Sequence, residues 1–250
     1  MSKLLVCDID GTLLGREDAT HRLLRLLRAP NAPVLAFASG RQGHSAMDVL
    51  LRAGVTGGAY LIAGVGSELY RRIGKQWVPV AAWPHLERPW DAQRVRQELL
   101  LLPDIRPQPL RALSAYKLSY FAHPSAVSAV RAALQAASID ANIVHSHGDM
   151  LDVLPRGIDK GAAVAWLAKH LGIALENVMT CGNTANDVAM LELPCAGVIV
   201  GGCDEELLAR ADSLPQTYVA REPCAAGIIE GLRAFGWLNE SDWRTTSRCL

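Results

Sequence analysis

Residues 4–12 read Leu-Leu-Val-Cys-Asp-Ile-Asp-Gly-Thr, so that an apolar run meets two carboxylates and a glycine. The apolar residues at 4–7 predict a strand buried on both faces, as in the centre of a parallel sheet. Ligands of open α/β sheets bind beyond the carboxyl ends of the strands, where Asp8 and Asp10 lie. Their alternate positions let both side chains approach one point, and Gly11 permits a sharp turn. Two adjacent carboxylates repel each other, which favours a bound hard cation such as Mg2+.

Much of the remaining sequence repeats this pattern of apolar strand and helix. The segments that read as buried parallel strands are Leu4–Cys7, Pro33–Phe37, Ala59–Ile62, Asn177–Cys181 and Ala196–Val200. The segments between them that read as crossover helices are His21–Arg28, Gly43–Ala53, Lys160–Leu171, Asp187–Leu191 and Glu205–Ala211. This alternation predicts the α/β class, with a three-layer, doubly wound (Rossmann-like) parallel sheet.

The middle of the chain departs from that alternation. The elements predicted here are helix, strand, helix, strand and strand, at Trp90–Leu101, Ala115–Ala122, Ser125–Ala137, Ala141–Val144 and Met150–Val153. Proline-containing stretches around Pro84 and Pro155 flank this segment, as is common for a separate lobe. The sequence therefore predicts a discontinuous core of residues 1–79 and 155–250 and an inserted α+β cap domain of residues 80–154. The tail after Leu238 has little apolar periodicity and is predicted to fray.

Composition excludes several classes of partner. Lys+Arg and Asp+Glu balance at 25 each, which gives no electrostatic case for nucleic acid or an anionic membrane. No stretch approaches the roughly 18 apolar residues of a membrane span, and no signal peptide is expected. The six cysteines are scattered, so they read as reduced thiols rather than zinc ligands. We expect a cytoplasmic monomer that acts on a small molecule.

Three further polar segments follow predicted strands or open predicted helices. Ser39-Gly40-Arg41 follows the strand at 33–37, so its hydroxyl and N–H groups are placed to hold phosphate oxygens at a helix N-terminus. Lys160 opens another helix, where a cation is unfavourable unless an anion lies nearby. Gly182-Asn183-Thr184-Ala185-Asn186-Asp187 follows the strand at 177–181. Taken singly, such features are often only structural: an acidic turn, a serine helix cap or a solvated lysine.

Taken together and in this order, the four segments resemble the motifs of the haloacid dehalogenase superfamily. The resemblance implies that Asp8 is a nucleophile and that Asp10 is a general acid and base, rather than only a turn residue. It implies that Lys160 offsets the charge of Asp8 and of the phosphoryl oxygens. The residues that it assigns to phosphate binding are Ser39, Gly40, Lys160 and Asn186.

The same resemblance implies Mg2+ as the cofactor, held by Asp8, the backbone carbonyl of Asp10 and Asp187. Asn183 departs from the family pattern, which usually has a carboxylate at this position. The change removes one negative charge near the cation, although an asparagine side chain still offers a carbonyl oxygen. Asn183 is therefore kept as a further candidate ligand, and either a weaker affinity for Mg2+ or an altered outer shell is expected.

Shorter likenesses indicate a substrate class. Residues 8–14, 66–68, 116–119, 149–155 and 225–232 are similar to sucrose-6-phosphate phosphatases and their close bacterial relatives. With the four motifs, the likeness spans residues 3–238. It implies hydrolysis of a sugar phosphate, with sucrose-6-phosphate as the first choice and a cap that closes over the leaving group.

A disaccharide phosphate needs many hydroxyl partners in a closed site. The core residues that we nominate as sugar contacts are Arg41, Gln42 and Glu68. The cap residues are Lys117, Ser146, His147 and Asp149, because the loop His-Ser-His-Gly-Asp at 145–149 is unusually polar between apolar strands. The structural alternatives are a strand-edge charge for Lys117, a polar turn for His147, and a pairing of Glu68 with Arg71 or Arg72.

Other functions stay open from the sequence. The same mechanism serves phosphatases of another glycosyl-sugar phosphate, such as mannosylfructose phosphate, or of a hexose phosphate. A phosphosugar mutase would keep the aspartyl-phosphate but return the phosphoryl group to sugar. A non-catalytic partner of a sugar synthase is the alternative from another class, in which Asn183 marks decay of the site. The intact Asp8, Asp10, Lys160 and Asp187 argue against decay, and a sugar-phosphate synthase is also a candidate partner for an active enzyme.

Overall fold

The computed structural model describes residues 2–84, 89–109, 113–146, 148–214 and 216–238. Two predictions, a sugar contact at His147 and a frayed tail after Leu238, concern residues outside these ranges. Among the described helices, none combines the length and the apolar character that a bilayer crossing requires.

The described strands form two sheets. The large sheet contains β1 (Leu4–Asp8), β2 (Val34–Ala38), β3 (Tyr60–Ala63), β4 (Glu68–Ile73), β5 (Gln76–Pro79), β10 (Val178–Gly182), β11 (Ala196–Gly201) and β12 (Thr217–Pro223). The small sheet contains β6 (Ile105–Pro107), β7 (Leu118–Ala122), β8 (Ala141–Ser146) and β9 (Met150–Pro155). The α-helices are α1 (Glu17–Leu26), α2 (Gly43–Arg52), α3 (Ala92–Leu99), α4 (Val127–Ala136), α5 (Lys160–His170), α6 (Val188–Leu191), α7 (Glu205–Arg210) and α8 (Cys224–Ala234).

The strand order of the large sheet places β1 near its centre. The order is β12-β11-β10-β1-β2-β3-β4-β5, in which the first six strands run parallel and β4 and β5 form an antiparallel hairpin at one edge. Cys7 of β1 lies opposite Phe37 of β2 and Cys181 of β10. Because parallel strands end at the same edge, the residues that follow β1, β2 and β10 meet there. The doubly wound fold predicted from the sequence is confirmed.

The apolar run at the start of β1 is explained by burial on both faces of the large sheet. Leu5 and Cys7 join a buried cluster with residues of α1, α2 and α8. Leu4 and Val6 point the other way, into a second cluster formed by neighbouring strands and α5. This gives the three predicted layers of helix, sheet and helix, since side chains alternate between the faces of a strand.

The small sheet is antiparallel, in the order β6-β7-β9-β8, and α3 and α4 cover one of its faces. Leu118 and Leu151 point into that helix-covered cluster. Ser119 and Asp152, their neighbours in sequence, are buried polar residues that lie opposite each other on β7 and β9. Because successive side chains of a strand point to opposite faces, one face of the small sheet is apolar and the other is polar. The polar face contributes to the cavity described below.

Some observed elements begin at other residues than predicted, and some were not predicted at all; both kinds of difference have local causes. Helix α1 begins four residues before the prediction, and Glu17 and Asp18 in its first turn interact favourably with the helix dipole. Strand β12 was not predicted because Thr217–Pro223 is mostly polar and partly exposed at a sheet edge. Helix α8 was also missed, since its glycines weaken the helical signal. At Gly231 a Cβ would lie 2.4 Å from a methyl of Val198, so the glycine allows α8 to approach β11 closely.

Candidate active site

A buried network of charges lies at the carboxyl edge of the large sheet. Lys160, the first residue of α5, donates from Nζ to Asp8 Oδ1 at 2.8 Å and to Asp187 Oδ1 at 2.6 Å. Its third hydrogen bond runs to Asn186 Oδ1 at 2.8 Å. Lys160 and Asp187 have no exposed surface, and Asp8 is 5% exposed. The one ammonium group therefore balances two carboxylates only in part, and the network carries a net negative charge.

The surroundings of Asp8 shift its protonation equilibrium. Burial raises the pKa of Asp8 to about 7, the charge of Asp187 adds to the rise, and the ammonium of Lys160 opposes it. Burial lowers the pKa of Lys160, but the charges of Asp187 and Asp8 outweigh this effect and leave the pKa above its usual value. A further cation beside Asp8 would favour the carboxylate form.

Asp187 lies behind the site rather than on its surface, which corrects the prediction of a metal ligand. Its Oδ1 atom accepts from Lys160, and its Oδ2 atom accepts from the backbone N–H groups of Asn183 at 2.9 Å and Thr184 at 3.1 Å. Both oxygens are thus committed to protein donors. The side chain orients Lys160 and fixes the turn that follows β10.

Asn183 lies against the turn that follows β1. Its Oδ1 atom accepts from the hydroxyl of Thr12 at 2.9 Å. Gly11 has a φ of +79°, and a Cβ there would lie 2.4 Å from Asn183 Nδ2, so only glycine allows this approach. The Thr12 hydroxyl can also accept from Nδ2, and a half-turn of the amide then leaves Oδ1 for another partner.

The candidate ligands around Asp8 are oxygen atoms, the type of ligand that Mg2+ prefers. No described residue donates a hydrogen bond to Asp8 Oδ2. The other nominated metal ligands are the main-chain carbonyl of Asp10 and the side-chain oxygen of Asn183, which accepts from the Thr12 hydroxyl. The described residues contain no group of three or more His, Cys, Asp or Glu side chains placed to hold a metal ion. Mg2+ is commonly bound through one or two carboxylates, with water and substrate phosphate completing its shell. The donor set agrees with that chemistry.

The turn after β2 has the features of an anion site. The N–H of Arg41 donates to Ser39 Oγ at 3.1 Å, which leaves the hydroxyl hydrogen for another acceptor. Gly40 lines the cavity, and its N–H has no acceptor within the described ranges. A Cβ on Gly40 would lie 3.4 Å from Asn186 Nδ2, so Asn186 closes one side of the turn. The structure thus brings together the residues predicted to bind phosphate.

Arg41 is paired with Asp10 rather than standing free for a sugar. Its Nε donates to Asp10 Oδ2 at 2.7 Å, and one terminal nitrogen donates to Asp10 Oδ1 at 2.9 Å. This is a bidentate pair on a partly exposed surface. The orientation of the Asp10 carboxylate is therefore set by the residue next to the Ser39–Gly40 turn.

A cavity of about 420 Å3 lies between this edge and the small sheet. The large-sheet side of the cavity is lined by Asp8, Asp10, Gly40, Arg41, Gln42, His44, Ser45, Thr184 and Asn186. The small-sheet side is lined by Gln108, Lys117, Ser146, Met150 and Asp152. Its volume lies in the range of small-molecule sites, and its lining is polar on both sides.

The nominated sugar contacts divide into those that reach the cavity and those that do not. Gln42 reaches it, and its buried Nε2 has no hydrogen-bond partner among the described residues. Glu68 does not line it, because its carboxylate accepts from the Gly43 N–H at 3.0 Å and from the Tyr70 hydroxyl at 2.7 Å. Glu68 therefore stabilises the first turn of α2, which corrects both its nomination and the predicted pairing with an arginine of the hairpin.

Asp149 is also corrected: it is exposed and does not line the cavity. It precedes β9 by one residue, whereas the cavity receives the side chains of Met150 and Asp152 from that strand. Asp152 was missed in the sequence analysis. The signal for it was a single acidic residue within the apolar run of β9, at an alternate position. Gln108 and His44 line the cavity as well and carried no comparable signal.

Comparison with known proteins places this geometry in a family context. The sequence matches the family of sucrose-6F-phosphate phosphohydrolases over residues 1–236. A mannosylfructose-phosphate phosphatase of Agrobacterium fabrum is 36% identical over 241 residues, which cover 94% of this chain and 97% of that protein. A probable sucrose-phosphatase 3a of Arabidopsis thaliana is 30% identical, over 93% of this chain but only 59% of its own length.

The fold comparison agrees with the sequence comparison. The crystal structure of the sucrose-phosphatase from Synechocystis sp., solved in complex with sucrose and phosphate, superposes with a TM-score of 0.87. The two chains are 28% identical, and the match covers 94% of this chain and 99% of that one.

Proposed function

The chain belongs to the sucrose-6F-phosphate phosphohydrolase family, and we propose that it is a Mg2+-dependent phosphatase of a fructose-containing disaccharide phosphate. The observation that carries the proposal is the free Oδ2 atom of Asp8, which lines a polar cavity beside the turn containing Ser39 and Gly40. The first substrate is sucrose-6-phosphate, in agreement with the family. Mannosylfructose phosphate is the second candidate, because the Agrobacterium relative is 36% identical across nearly its whole length.

In the first step, Asp8 Oδ2 attacks phosphorus and the bond to the sugar oxygen breaks, which gives an aspartyl-phosphate. Lys160 holds Asp8 Oδ1 and so leaves Oδ2 for the attack. The Gly40 N–H and the Ser39 hydroxyl bind phosphoryl oxygens, as the open donors of this turn allow.

Asp10 gives a proton to the leaving sugar oxygen and later takes one from the water that hydrolyses the aspartyl-phosphate. In the structure both oxygens of Asp10 accept from Arg41. Protonation of Asp10 removes its charge and turns one of these oxygens into a weaker acceptor, so the pair with Arg41 loosens during the first step. Arg41 is thus placed to exchange between Asp10 and the bound sugar phosphate.

The residues that would hold Mg2+ are Asp8, the main-chain carbonyl of Asp10 and Asn183. When bound there, the ion supplies positive charge to the phosphoryl oxygens. Asp187 acts from behind, through its contacts with Lys160 and with the backbone at Asn183 and Thr184.

We assign residues 1–79 and 155–250 to a catalytic core and residues 80–154 to a cap domain, and we propose that the cap selects the leaving group. The small sheet supports this division, since it is a separate sheet with its own apolar cluster and faces the cavity. The sugar contact proposed from its polar face is Ser146, with Asp152 added from the structure.

The test is phosphate release from a substrate panel, with Mg2+ and with a chelator. The panel is sucrose-6-phosphate, mannosylfructose phosphate, fructose-6-phosphate and glucose-6-phosphate. We expect Mg2+-dependent release from one of the two disaccharide phosphates, loss of release in Asp8→Asn, and normal release in the matched surface variant Asp48→Asn.

Three other results would redirect the assignment. Release from a hexose phosphate alone would keep the mechanism and discard the disaccharide. Formation of an isomeric sugar phosphate without phosphate release would identify a mutase. No reaction with any substrate, together with binding of a sugar synthase, would identify a non-catalytic partner.

A further inference from the structure

One hydrogen bond joins the small sheet directly to the phosphate-binding turn. Lys117, next to β7, donates from Nζ to the main-chain carbonyl oxygen of Gly40 at 3.1 Å. The two residues are 77 positions apart in sequence. A residue first nominated as a sugar contact therefore touches the backbone of the turn that would hold the phosphoryl group.

The carbonyl groups of this turn are held by two different parts of the molecule. The Ser39 carbonyl accepts from the Val65 N–H at 3.0 Å, and the Arg41 carbonyl accepts from the Gly64 N–H at 2.7 Å. Both donors follow β3 in the large sheet. The carbonyl between them, that of Gly40, is held by Lys117.

These contacts fix the peptide unit between Gly40 and Arg41 at both of its ends. Its carbonyl accepts from Lys117, and its N–H donates to Ser39 Oγ. A peptide unit is planar, so holding both groups sets its rotation about the chain. That rotation sets the direction of the Arg41 N–H and, through its hydrogen bond, the position of the Ser39 hydroxyl on the cavity side.

Lys117 is a buried residue with defined partners, and it is not an exposed charge at the edge of a strand. The side chain is buried, and its Nζ lies 3.2 Å from Asp152 Oδ1. Asp152 Oδ1 also accepts from the Ser119 hydroxyl at 2.5 Å. A buried ammonium with a carboxylate partner and a fixed backbone acceptor has a defined position, which is what a positioning role requires.

We propose that Lys117 is a positioning residue through which the small sheet completes the phosphate-binding turn. The affinity for the phosphoryl group then depends on the small sheet even when the ligand contains no sugar. The proposal rests on the proposed function only in taking the Ser39–Arg41 turn as the phosphate site. It differs from a sugar-contact role, which predicts that Lys117 matters only for ligands carrying a sugar.

The experiment is calorimetric titration of the full chain with inorganic phosphate in the presence of Mg2+. We expect Lys117→Met to raise the dissociation constant of phosphate roughly tenfold, since a charge-assisted hydrogen bond is lost. Lys117→Arg should recover part of the affinity, because a guanidinium can also donate to the Gly40 carbonyl. The matched control is Lys75→Met, which removes an exposed ammonium from the hairpin turn and should leave the constant unchanged.

Lys117→Met leaves Asp152 without its cation, so a loss of folding has to be separated from a loss of positioning. The double variant Lys117→Met/Asp152→Leu removes both charges, and we expect it to fold and to keep the weakened phosphate binding. A phosphate constant within twofold of wild type in this variant would overturn the proposal, as would a wild-type chain that binds no phosphate. A wild type that binds phosphate but hydrolyses nothing on the panel would remove the proposed function and leave this inference standing.

Discussion

Lys160 and Lys117 are both buried lysines beside the same site, one at the edge of the large sheet and one on the small sheet. Lys160 donates all three of its hydrogens to protein side chains. Lys117 has two acceptors among the described residues, the Gly40 carbonyl and Asp152, and it lines the cavity. Lys160 therefore belongs to a closed network that tunes one carboxylate, whereas Lys117 holds a backbone carbonyl beside the cavity. The two lysines thus mark the region proposed for the chemistry and the region proposed to help hold the ligand.

Asp10→Asn tests whether the chemistry belongs to the large-sheet edge. We expect turnover of the disaccharide phosphate to fall by about 10²–10⁴, because the sugar oxygen leaves without a proton. Turnover of p-nitrophenyl phosphate should fall much less in the first step, since nitrophenolate needs no proton to leave. The measurement is the burst and steady-state rate for both substrates. Equal losses in the burst phase would show that Asp10 does not act as an acid.

Lys160→Met removes the cation of the closed network while keeping side-chain length. We expect the free energy of unfolding at pH 7 to fall by roughly 3–5 kcal/mol, because Asp8 and Asp187 are left facing each other in a buried site. Lys117→Met should cost less, since Asp152 keeps its hydrogen bond from Ser119. Urea denaturation of both variants in chelator gives the two values. A larger loss for Lys117→Met would reverse the ranking of the two regions.

Asp8→Asn tests the electrostatic cost of burying the proposed nucleophile. Burial raises the pKa of Asp8 to about 7 in the folded chain, above the usual value of 3.8. The stability that Asp8 contributes is thus fully present below pH 3.8 and is lost as the pH rises through 7. Asparagine does not ionise, so the metal-free variant should gain roughly 1–3 kcal/mol relative to wild type between pH 4 and pH 8.

The measurement for Asp8→Asn is a series of urea denaturation curves across this pH range in chelator. Mg2+ should reduce the difference at pH 8, because a cation beside Asp8 favours its charged form. A stability difference between variant and wild type that does not change with pH would contradict the account.

Gln42→Met tests whether a residue on the large-sheet side of the cavity also contacts the substrate. Gln42 lines the cavity, and its side-chain amide can still donate a hydrogen bond to a ligand. Its buried Nε2 has no partner among the described residues, so the variant should be as stable as wild type or more stable by about 1 kcal/mol. The value of kcat/KM for the disaccharide phosphate should fall about fivefold, with little change for p-nitrophenyl phosphate. Thermal unfolding and steady-state kinetics check both parts. A loss of stability without a kinetic effect would make Gln42 only structural.

The fold of the large sheet could be predicted from the sequence because each central strand is marked by a local pattern. An apolar run buried on both faces, followed by polar residues, marks a central parallel strand whether or not its neighbours are known. Strand β12 could not be predicted, since the edge strand Thr217–Pro223 has one buried residue, Ala220, and carries no long apolar run. The tight packing of α8 on β11 depends on Gly231, and nothing in the sequence distinguishes that glycine from a helix breaker.

The residues of the candidate site could be predicted only in part, because the partners of their side chains depend on tertiary contacts. The resemblance placed Asp187 among the metal ligands, but its Oδ2 accepts from the turn at Asn183 and Thr184 and its Oδ1 accepts from Lys160. At the start of β9, one position separates Asp149, which precedes the strand, from cavity-lining Met150, and sequence alone does not fix that boundary.

The most direct test of the account is to locate the phosphoryl group on the chain during turnover. The enzyme is quenched with borohydride while it hydrolyses the disaccharide phosphate, which converts an aspartyl-phosphate to homoserine. The tryptic peptide of residues 4–16, which contains both Asp8 and Asp10, is then sequenced by mass spectrometry. Attack by Asp8 would leave homoserine at position 8 and none at position 10. Homoserine at position 10, or steady phosphate release with no modified peptide, would contradict it.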